Sequence, residues 1–266
     1  MKKDRNRTVE FENYYSALYG KRWPSLRAAL ETETADYETV AFPGCEPYAL
    51  NRASAVCART LGVEPGHAVL DLCAAPGGKT LILAAALSGR GRLISNDLSP
   101  ERRRRLKNTI ETVLPPDLAE AVSISGSDAA LFGKRMPESF DRVLADVPCS
   151  SEGHLIRKPQ LLTEWSPARI RSLCIRQFAI LAAGLDALKT GGEMIYSTCA
   201  IVPDENDGVI SKLKLKRPDT FEILPLREPG EPTRFGRLIL PDTYPGMGPL
   251  FICHIRKTGN SRKEPR

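Results

Sequence analysis

Two cysteines and an acid stand in short motifs whose residue types could carry out covalent chemistry. Cys149 follows the apolar run RVLADV and a proline, three residues after Asp146, and Cys199 closes the sequence YSTC. A thiolate is a strong nucleophile, and a neighbouring carboxyl group can hold or move a proton. If the two cysteines end neighbouring strands, they can meet despite the 50 residues between them. The question is which of them attacks a substrate.

The pattern of apolar residues in the chain that must position these residues changes after residue 67. Short apolar runs occur at 68–73, 92–97, 121–126, 142–147 and 192–198. Helical segments separate them, among them an amphipathic helix over 167–190 that Gly191 and Gly192 end. This alternation predicts an α/β fold with a mostly parallel sheet covered on both faces. The last extended runs, TFEILPL, RLILP and LFICHIRK, have no helices between them, which predicts that antiparallel strands complete the sheet.

The amino-terminal part has a different pattern. Helical spacing predicts helices over 8–19, 23–33 and 48–62, with a Pro- and Gly-containing loop at 41–47. We therefore divide the chain into a helical extension (1–62), a catalytic domain (63–256) and a flexible basic tail (257–266).

Polar residues follow each predicted parallel strand. The sequence CAAPGGKT comes after the first strand, and Asp97, Asp128 and Asp146 follow the next three. A single Asp at a strand end is more often a turn residue or helix cap. Several acids, a glycine loop and two thiols at one sheet edge favour a ligand site. Asp97 lies 20 residues beyond Gly77, where an acid often binds ribose hydroxyls, so we expect a nucleoside cofactor with its adenosine held by Asp97 and Asp128.

Composition limits the alternatives. The chain has 266 residues, 42% hydrophobic and 26% charged, which suits a folded enzyme. Its net charge of +6 favours an anionic partner such as a nucleic acid. Seven cysteines without a C-x-x-C pair argue against a disulfide framework and a metal site. No apolar stretch suits a signal peptide or a membrane span, so we expect an intracellular protein.

Four linked motifs carry a family resemblance. LDLCAAPGGKT, NDLSPERRRRL, RVLADVPCSSEG and IYSTCAIVPDENDGVI resemble successive motifs of the Sun/Fmu-type (NOL/NOP/Sun domain) RNA cytosine-5 methyltransferases. YYSALYGKRWPSLRAAL and MGPLFICHIRK are most similar to the subgroup of the mitochondrial ribosomal-RNA enzyme. The resemblance implies a class I methyltransferase fold (Rossmann-like, with a mostly parallel seven-stranded sheet) and S-adenosyl-L-methionine as cofactor.

The same resemblance implies roles for individual residues. Cys199 would be the nucleophile, Cys149 would assist product release, and Asp146 would lie near the methionine end of the cofactor and the target base. Asp97 would bind the ribose with support from Arg102, and Asp128 would bind the adenine. The cofactor loop would comprise Cys73, Ala74, Ala75, Pro76, Gly77, Gly78 and Lys79.

Two cysteines suit this chemistry, because carbon 5 of cytosine cannot take a methyl group until a thiolate has added at carbon 6. Two positions depart from the family pattern. SSEGH follows Cys149 where the family has a glycine soon after the cysteine, and Ala200 replaces a common serine. The first departure leaves the shape of the Cys149 loop open.

Several readings stay open. The substrate is expected to be structured RNA, with ribosomal RNA ahead of transfer RNA. One alternative is a DNA cytosine-5 methyltransferase that attacks with Cys149, and another is a non-catalytic RNA-binding assembly factor. We expect a monomer in the cytoplasm rather than the mitochondrion, aided by a ribosomal subunit or an accessory RNA-binding protein. A core role is expected for Trp23 and Trp165, a solvated face for most of the arginines at 102–105, and an ordinary hydrogen bond for His154.

Overall fold

The computed structural model describes residues 2–32, 36–227 and 229–259, with side chains from residue 7 onward. The helices are α1 (Lys2–Tyr19), α2 (Trp23–Thr32), α3 (Arg52–Thr60), α4 (Gly78–Leu87), α5 (Pro100–Val113), α6 (Pro116–Ala119), α7 (Phe132–Arg135), α8 (Glu152–Arg157), α9 (Pro167–Ala187) and α10 (Asp207–Lys216). Short 3₁₀ helices occupy Gly20–Arg22, Ala129–Leu131, Pro159–Glu164 and Pro203–Glu205.

The strands fall into a small hairpin and one large sheet. They are β1 (Tyr37–Val40), β2 (Tyr48–Asn51), β3 (Ala68–Asp71), β4 (Arg92–Asn96), β5 (Val122–Ser125), β6 (Phe140–Asp146), β7 (Leu188–Thr198), β8 (Phe221–Leu224), β9 (Glu231–Pro232), β10 (Arg237–Ile239) and β11 (Leu250–Lys257).

The large sheet has the order β5-β4-β3-β6-β7-β11-β10-β9, and β8 also pairs with β11. Its first five strands are parallel, and β11 pairs with β7 in the antiparallel sense. The predicted α/β fold and antiparallel finish are confirmed. Within the described residues the sheet has nine strands instead of the expected seven, because the short β9 and β10 extend it beyond β11.

Both faces of the central strands β3 and β6 are buried, as continuous apolar runs require, whereas the edge strand β5 is partly exposed. Val69 and Leu144 belong to a core beneath α3, α4 and α5, whereas Leu70 and Val143 belong to a second core beneath α9 and α10. A third core joins the amino-terminal helices to α8 and includes Trp23 and Trp165, whose predicted packing role is confirmed.

Three predicted boundaries were wrong, besides the start of the first helix, which lies at Lys2 instead of residue 8. Residues 48–51 form a strand of the β1–β2 hairpin, and the helix begins only after Asn51, whose side chain accepts a hydrogen bond from the Ala53 amide. Helix α9 stops at Ala187, so Gly191 and Gly192 lie inside β7.

The third wrong boundary concerns the tail. Lys257 ends β11 and is buried, because its ammonium donates to the Leu188 carbonyl 2.7 Å away. The rest of the predicted tail from residue 260, and the predicted helix end at Glu33, lie outside the described residues.

No helix in the described part of the chain is long and apolar enough to cross a membrane.

Candidate active site

A cavity of about 900 Å³ opens at the carboxyl ends of the parallel strands. Such an edge collects the residues that follow each strand, because all parallel strands end there. The residues predicted to do chemistry meet on its walls, together with one serine that the sequence reasoning did not single out. They are Lys79, Arg102, Asp146, Cys149, Ser151 and Cys199.

The two predicted catalytic thiols are in direct contact. The Sγ atoms of Cys149 and Cys199 lie 3.0 Å apart, a distance at which one sulfur donates a hydrogen bond to the other. The hydrogen bond from Cys149 lowers the pKa of Cys199, and the same bond together with burial raises the pKa of Cys149 well above its ordinary value. The Ser151 hydroxyl is closer to Cys199, at 3.1 Å, than to Cys149, at 3.4 Å, so it favours the same direction. These contacts favour ionisation of Cys199 over ionisation of Cys149.

Asp146 faces the thiols from the end of β6 and is held by two donors. Lys79 at the start of α4 donates to Oδ2 at 2.8 Å, and Ser197 on the neighbouring strand β7 donates to Oδ1 at 2.8 Å. Burial lowers the pKa of Lys79, but the adjacent carboxylates, chiefly that of Asp146, raise it above its ordinary value, so the ammonium stays charged. Both oxygens of Asp146 thus act as acceptors, and the Lys79 ammonium supplies a fixed positive charge beside them.

The glycine loop is shaped by packing against the protein itself. Gly77 has a φ of +119°, which favours glycine, and a Cβ there would lie 3.0 Å from Thr109. A Cβ on Gly78 would lie 2.6 Å from Leu50. Both glycines are therefore required by packing within the protein. Cys73 and Pro76 line the cavity, and together with Gly78 they also line a smaller cavity of about 160 Å³ beside it.

Ala74 and Ala75, the remaining residues of the predicted cofactor loop, are buried. The carbonyl of Ala75 accepts a hydrogen bond from Arg102 at 2.6 Å, which ties the loop to α5.

Asp97 fits a nucleoside cofactor. It is 4% exposed, its Oδ1 accepts a hydrogen bond from the Ser99 amide at 3.0 Å, and its buried Oδ2 accepts none. Arg102, the predicted support, lies 3.4 Å from that oxygen. A buried acceptor without a donor is costly unless a ligand completes it, and a ribose hydroxyl is such a donor.

Asp128 follows β5 at the same edge, but its side chain has a partner within the protein. Arg176 of α9 contacts both carboxylate oxygens, at 2.6 and 3.2 Å, and this hydrogen bonding lowers the pKa of Asp128. The carboxylate also accepts from the Ala130 amide at 2.9 Å. A role in adenine binding would add to these contacts and stays a prediction.

Two buried glutamates fix the loops that carry the cysteines, and the sequence reasoning missed both. Glu152 accepts hydrogen bonds from Tyr15 of α1, from Ser150 at 2.6 Å and from the Ile201 amide at 3.1 Å. It therefore joins the Cys149 loop, the Cys199 loop and the amino-terminal helix. It belongs to the SSEGH departure, but its burial depends on residues far away in the chain, so the local sequence carried no signal of its role.

Glu205, which follows Cys199 in the chain, holds the Cys149 loop from the side of α9. Its Oε2 accepts from the Ser150 amide at 3.1 Å and from Gln177 at 2.6 Å, and Gln177 also donates to the Pro148 carbonyl at 3.0 Å. Burial raises the pKa of Glu205 to about 7. Glu205 is fully buried, so it is not a solvated charge at the start of α10.

The basic residues near the site divide into two groups. Arg102 and Arg103 donate to backbone carbonyls around the glycine loop and Asp97, so they shape the site. Arg105 and His154 are exposed and line the cavity, where a polyanion could reach them.

Comparison with known proteins identifies the family. The family model described as "16S rRNA methyltransferase RsmB/F" matches residues 58–254. This range includes Lys79, Asp146, Cys149 and Cys199 of the cavity lining. The chain belongs to this family. The resemblance to the Sun/Fmu-type enzymes is confirmed, as are the methyltransferase fold and S-adenosyl-L-methionine as the cofactor of the family.

Curated relatives agree with the family assignment. The chain is 32% identical over 232 residues to "5-cytosine rRNA methyltransferase NSUN4" of Bos taurus, covering 78% of this chain and 59% of that protein. It is 35% identical over 209 residues to "Ribosomal RNA small subunit methyltransferase F" of Pectobacterium carotovorum, covering 76% of this chain and 42% of that protein. The chain thus spans only about half the length of these relatives.

Solved structures agree with the fold. A methyltransferase homologue from Pyrococcus horikoshii superposes with a TM-score of 0.74 at 23% identity, covering 93% of this chain and 94% of the other. NSun6 from Pyrococcus horikoshii, solved with SFG, gives a TM-score of 0.70 at 26% identity, covering 80% of this chain and 54% of the other.

Proposed function

We propose that this protein methylates carbon 5 of a cytidine in structured RNA, most favourably ribosomal RNA, through a covalent bond between Cys199 and carbon 6 of the base. The single observation that carries the proposal is the 3.0 Å contact between Cys149 and Cys199 in the cavity that Asp146 also lines. Two thiols sharing a proton there supply an attacking thiolate and a second acid–base group in one place. The names of the two relatives, both ribosomal-RNA methyltransferases, support the RNA substrate.

Cys199 would begin the reaction. Its thiolate, kept ionised by the Cys149 thiol, forms a bond to carbon 6, and the displaced electron pair makes carbon 5 nucleophilic. S-adenosyl-L-methionine, when bound at the glycine loop and Asp97, supplies the electrophilic methyl group. The target base has to leave its stack to reach this cavity, at a cost of a few kcal/mol that an unpaired site reduces.

Asp146 and Lys79 would orient the base and balance its charge. Cytosine carries an exocyclic amino group, which is a donor that a carboxylate recognises. The oxygens of Asp146 are acceptors, so this pairing suits them better than a contact with the unprotonated ring nitrogen. The ammonium of Lys79 would offset the negative charge that moves onto the ring when the thiolate adds.

Cys149 would complete the reaction. After methyl transfer, a base must take the proton from carbon 5 so that the bond between Cys199 and carbon 6 can break. The pKa of Cys149 is raised first by its hydrogen bond to Cys199, and that cause disappears once Cys199 carries the base instead of a charge. Cys149 can then lose its own proton to solvent through the open cavity and accept the one from carbon 5.

Cysteine variants test the order of events with methyl incorporation and denaturant-resistant protein–RNA adducts as readouts. We expect Cys199→Ala to lose both adduct and product. We expect Cys149→Ala to form the adduct and to release it slowly, so that adduct accumulates. Cys45→Ala is the control, because Cys45 lies outside the cavity lining and should behave as wild type.

Other outcomes would select the alternatives. Adduct formation that needs Cys149 but not Cys199 would assign the order of a DNA cytosine-5 methyltransferase. The absence of incorporation with any RNA would favour a non-catalytic assembly factor. Bisulfite sequencing of cellular RNA with and without the gene separates ribosomal from transfer RNA, because only the true target loses a protected cytosine.

We propose that the enzyme acts as a monomer in the cytoplasm. A preassembled ribosomal subunit or an accessory RNA-binding protein would supply additional affinity. The net charge of +6 supports a polyanionic partner.

A further inference from the structure

Ser151 has a backbone conformation that is unusual for its residue type. Its φ of 55° and ψ of 51° lie in the left-handed region, which favours glycine because it has no Cβ. The neighbouring residues hold it there. On one side the Ser150 amide donates to Glu205, and on the other Glu152 accepts from Tyr15 and the Ile201 amide. The fold therefore keeps a serine where a glycine would be easier to accommodate.

The Ser151 side chain also does not cap the helix that follows it, which is the usual role of a serine at that position. Ser151 precedes α8, yet its hydroxyl caps none of the helix amides, whereas Ser99 and Ser166 cap α5 and α9 in the ordinary way. Only the carbonyl of Ser151 serves the helix, accepting from the His154 amide at 2.9 Å. The hydroxyl is thus available for another partner.

Its partners are the pair of sulfur atoms, together with the Cys149 carbonyl 3.4 Å away. The hydroxyl oxygen lies 3.1 Å from Cys199 Sγ and 3.4 Å from Cys149 Sγ, and the two sulfurs lie 3.0 Å apart. The three atoms form a closed triangle on the cavity wall. A hydroxyl has one proton to donate, and a thiolate is a much better acceptor than a thiol, so that proton points to whichever sulfur is charged.

We propose that Ser151 is a third catalytic side chain, whose hydroxyl hydrogen-bonds the Cys199 thiolate before attack and the Cys149 sulfur after Cys199 has bonded to the base. The proposal rests on the proposed function and adds a residue to it. The hydroxyl keeps its proton throughout, so no bond to Ser151 forms or breaks. Bond formation turns Cys199 into an uncharged thioether, a weak acceptor, and Cys149 becomes the better partner when it loses its proton.

Alkylation of the free protein tests the first half without RNA or cofactor. We would measure the rate at which iodoacetamide modifies Cys199 between pH 5.5 and 9.5, resolved by peptide mass spectrometry. Ser151→Gly keeps the left-handed backbone and removes the hydroxyl. We expect its Cys199 alkylation rate near pH 6 to fall about tenfold and its titration midpoint to move up, because a thiolate loses a charge-assisted hydrogen bond.

Two further variants separate the hydroxyl from the backbone. Ser151→Ala also lacks the hydroxyl but keeps the Cβ and its backbone strain, so a shared loss of reactivity in the two variants assigns the effect to the hydroxyl. Ser88→Gly is the matched control, because Ser88 has a φ of 50° on an exposed turn and its hydroxyl bonds only the Ala85 carbonyl. We expect Ser88→Gly to leave the Cys199 profile unchanged. Wild-type reactivity in Ser151→Gly would overturn the proposal.

The second half needs RNA and is measured separately. In Ser151→Gly we expect denaturant-resistant adducts to decay more slowly than in wild type, because Cys149 loses its donor after Cys199 has reacted. An unchanged decay rate would overturn this half. If no RNA is methylated by wild-type protein while Ser151→Gly still shifts the alkylation profile, the proposed function fails and the thiolate contact stands.

Discussion

At the scale of single residues, the site depends on the contact between its two thiols. The hydrogen bond between the sulfurs of Cys149 and Cys199 lowers the pKa of Cys199 while it raises that of Cys149. In the proposed reaction the same contact would prepare Cys199 for attack and keep Cys149 protonated until attack has occurred. Substituting either cysteine changes both, so the two roles can be separated only by following adduct formation and release.

The Lys79–Asp146 pair should contribute to stability as well as to catalysis. We expect Lys79→Met to lower the free energy of unfolding by about 2 kcal/mol, because Lys79 is only 14% exposed and water therefore screens its pair with Asp146 weakly. Urea denaturation measures the loss. Lys189→Met breaks a more exposed pair with Asp141 and should cost less than about 1 kcal/mol. Adding Asp146→Asn to Lys79→Met should recover part of the stability, and a further loss would contradict a direct pair.

Glu205 should make stability depend on pH. Its folded pKa of about 7 lies above the ordinary 4.5, so the folded state holds the proton over a range in which the unfolded state has lost it. Stability contributed by this group is therefore present below pH 4.5 and declines as pH rises to about 7, by about 3 kcal/mol. Glu205→Gln cannot ionise and should flatten this decline in urea titrations. Equal slopes for the two proteins would show that Glu205 does not titrate there.

Sequence reasoning brought together the residues that line the cavity better than it found the groups that hold them in place. Asp146, Cys149 and Cys199 stand at strand ends, where parallel topology alone brings them together. Glu152 and Glu205 look like ordinary surface acids in the sequence, and their burial depends on Tyr15 and Gln177, which are far away in the chain. Long-range packing of this kind leaves no local pattern.

At the scale of elements, α1 acts as a support for the catalytic loops. Tyr15 is fully buried between Trp23 and Trp165, and its hydroxyl donates to Glu152 while it accepts from the Trp165 indole at 3.3 Å. Tyr19 donates to the carbonyl of Ile201, two residues after Cys199, at 2.7 Å. The amino-terminal helix thus contacts both loops that carry a cysteine.

Removing one hydroxyl from α1 should therefore alter the geometry of the loops that carry the two cysteines. We expect Tyr15→Phe to lower the free energy of unfolding by about 1–3 kcal/mol, because Glu152 and the Trp165 indole each lose a partner in a buried setting. We also expect slower methyl transfer with cofactor affinity unchanged, since the glycine loop and Asp97 lie on other elements.

The control for this prediction is Tyr14→Phe, which removes a hydroxyl from a half-buried ring on the same helix. Equal effects of the two substitutions would refute a specific role for Tyr15. Calorimetric titration with S-adenosyl-L-methionine would measure the affinity, and a single-turnover assay would measure the transfer.

Element types were predictable where periodicity was strong, as in α9 and the parallel strands. The errors came where two signals competed. At 48–51 the helical spacing of YALNRASAVCARTLG continued upstream, but Asn51 caps the helix and pairing with β1 draws the preceding residues into a strand. At the end of α9, pairing with β6 begins before the glycines.

At the scale of the whole molecule, charge should govern RNA binding. The net charge of +6 predicts that affinity for RNA falls as salt rises, because phosphate contacts release counterions. Arg105 projects from α5 at the cavity rim and is 63% exposed, with only a loose pair to Glu101 at 3.8 Å. It is well placed to meet the phosphates beside a target base.

Arg105→Gln should weaken RNA binding in a salt-dependent way. We expect the slope of log affinity against log salt to decrease in magnitude by roughly 0.7 to 0.9, the loss of one phosphate contact. Fluorescence anisotropy with a labelled RNA hairpin would measure the slope. Lys107→Gln is the matched control on the same helix, because Lys107 is as exposed but lies outside the cavity lining. Identical slopes for the two variants would exclude a phosphate contact by Arg105.

The hydrogen bond between Tyr15 and Glu152 joins residues 137 positions apart, and this separation sets the order in which the molecule can assemble during translation. At synthesis rates of about 5–20 residues per second, Tyr15 is synthesised roughly 7–27 seconds before Glu152. Phe11 and Tyr15, both fully buried in the finished protein, can pack on Trp23 of α2 during that interval but not on Trp165. Helix α1 therefore completes its packing only after α8 has been made, and the two cysteines acquire their final geometry only when distant parts of the chain meet.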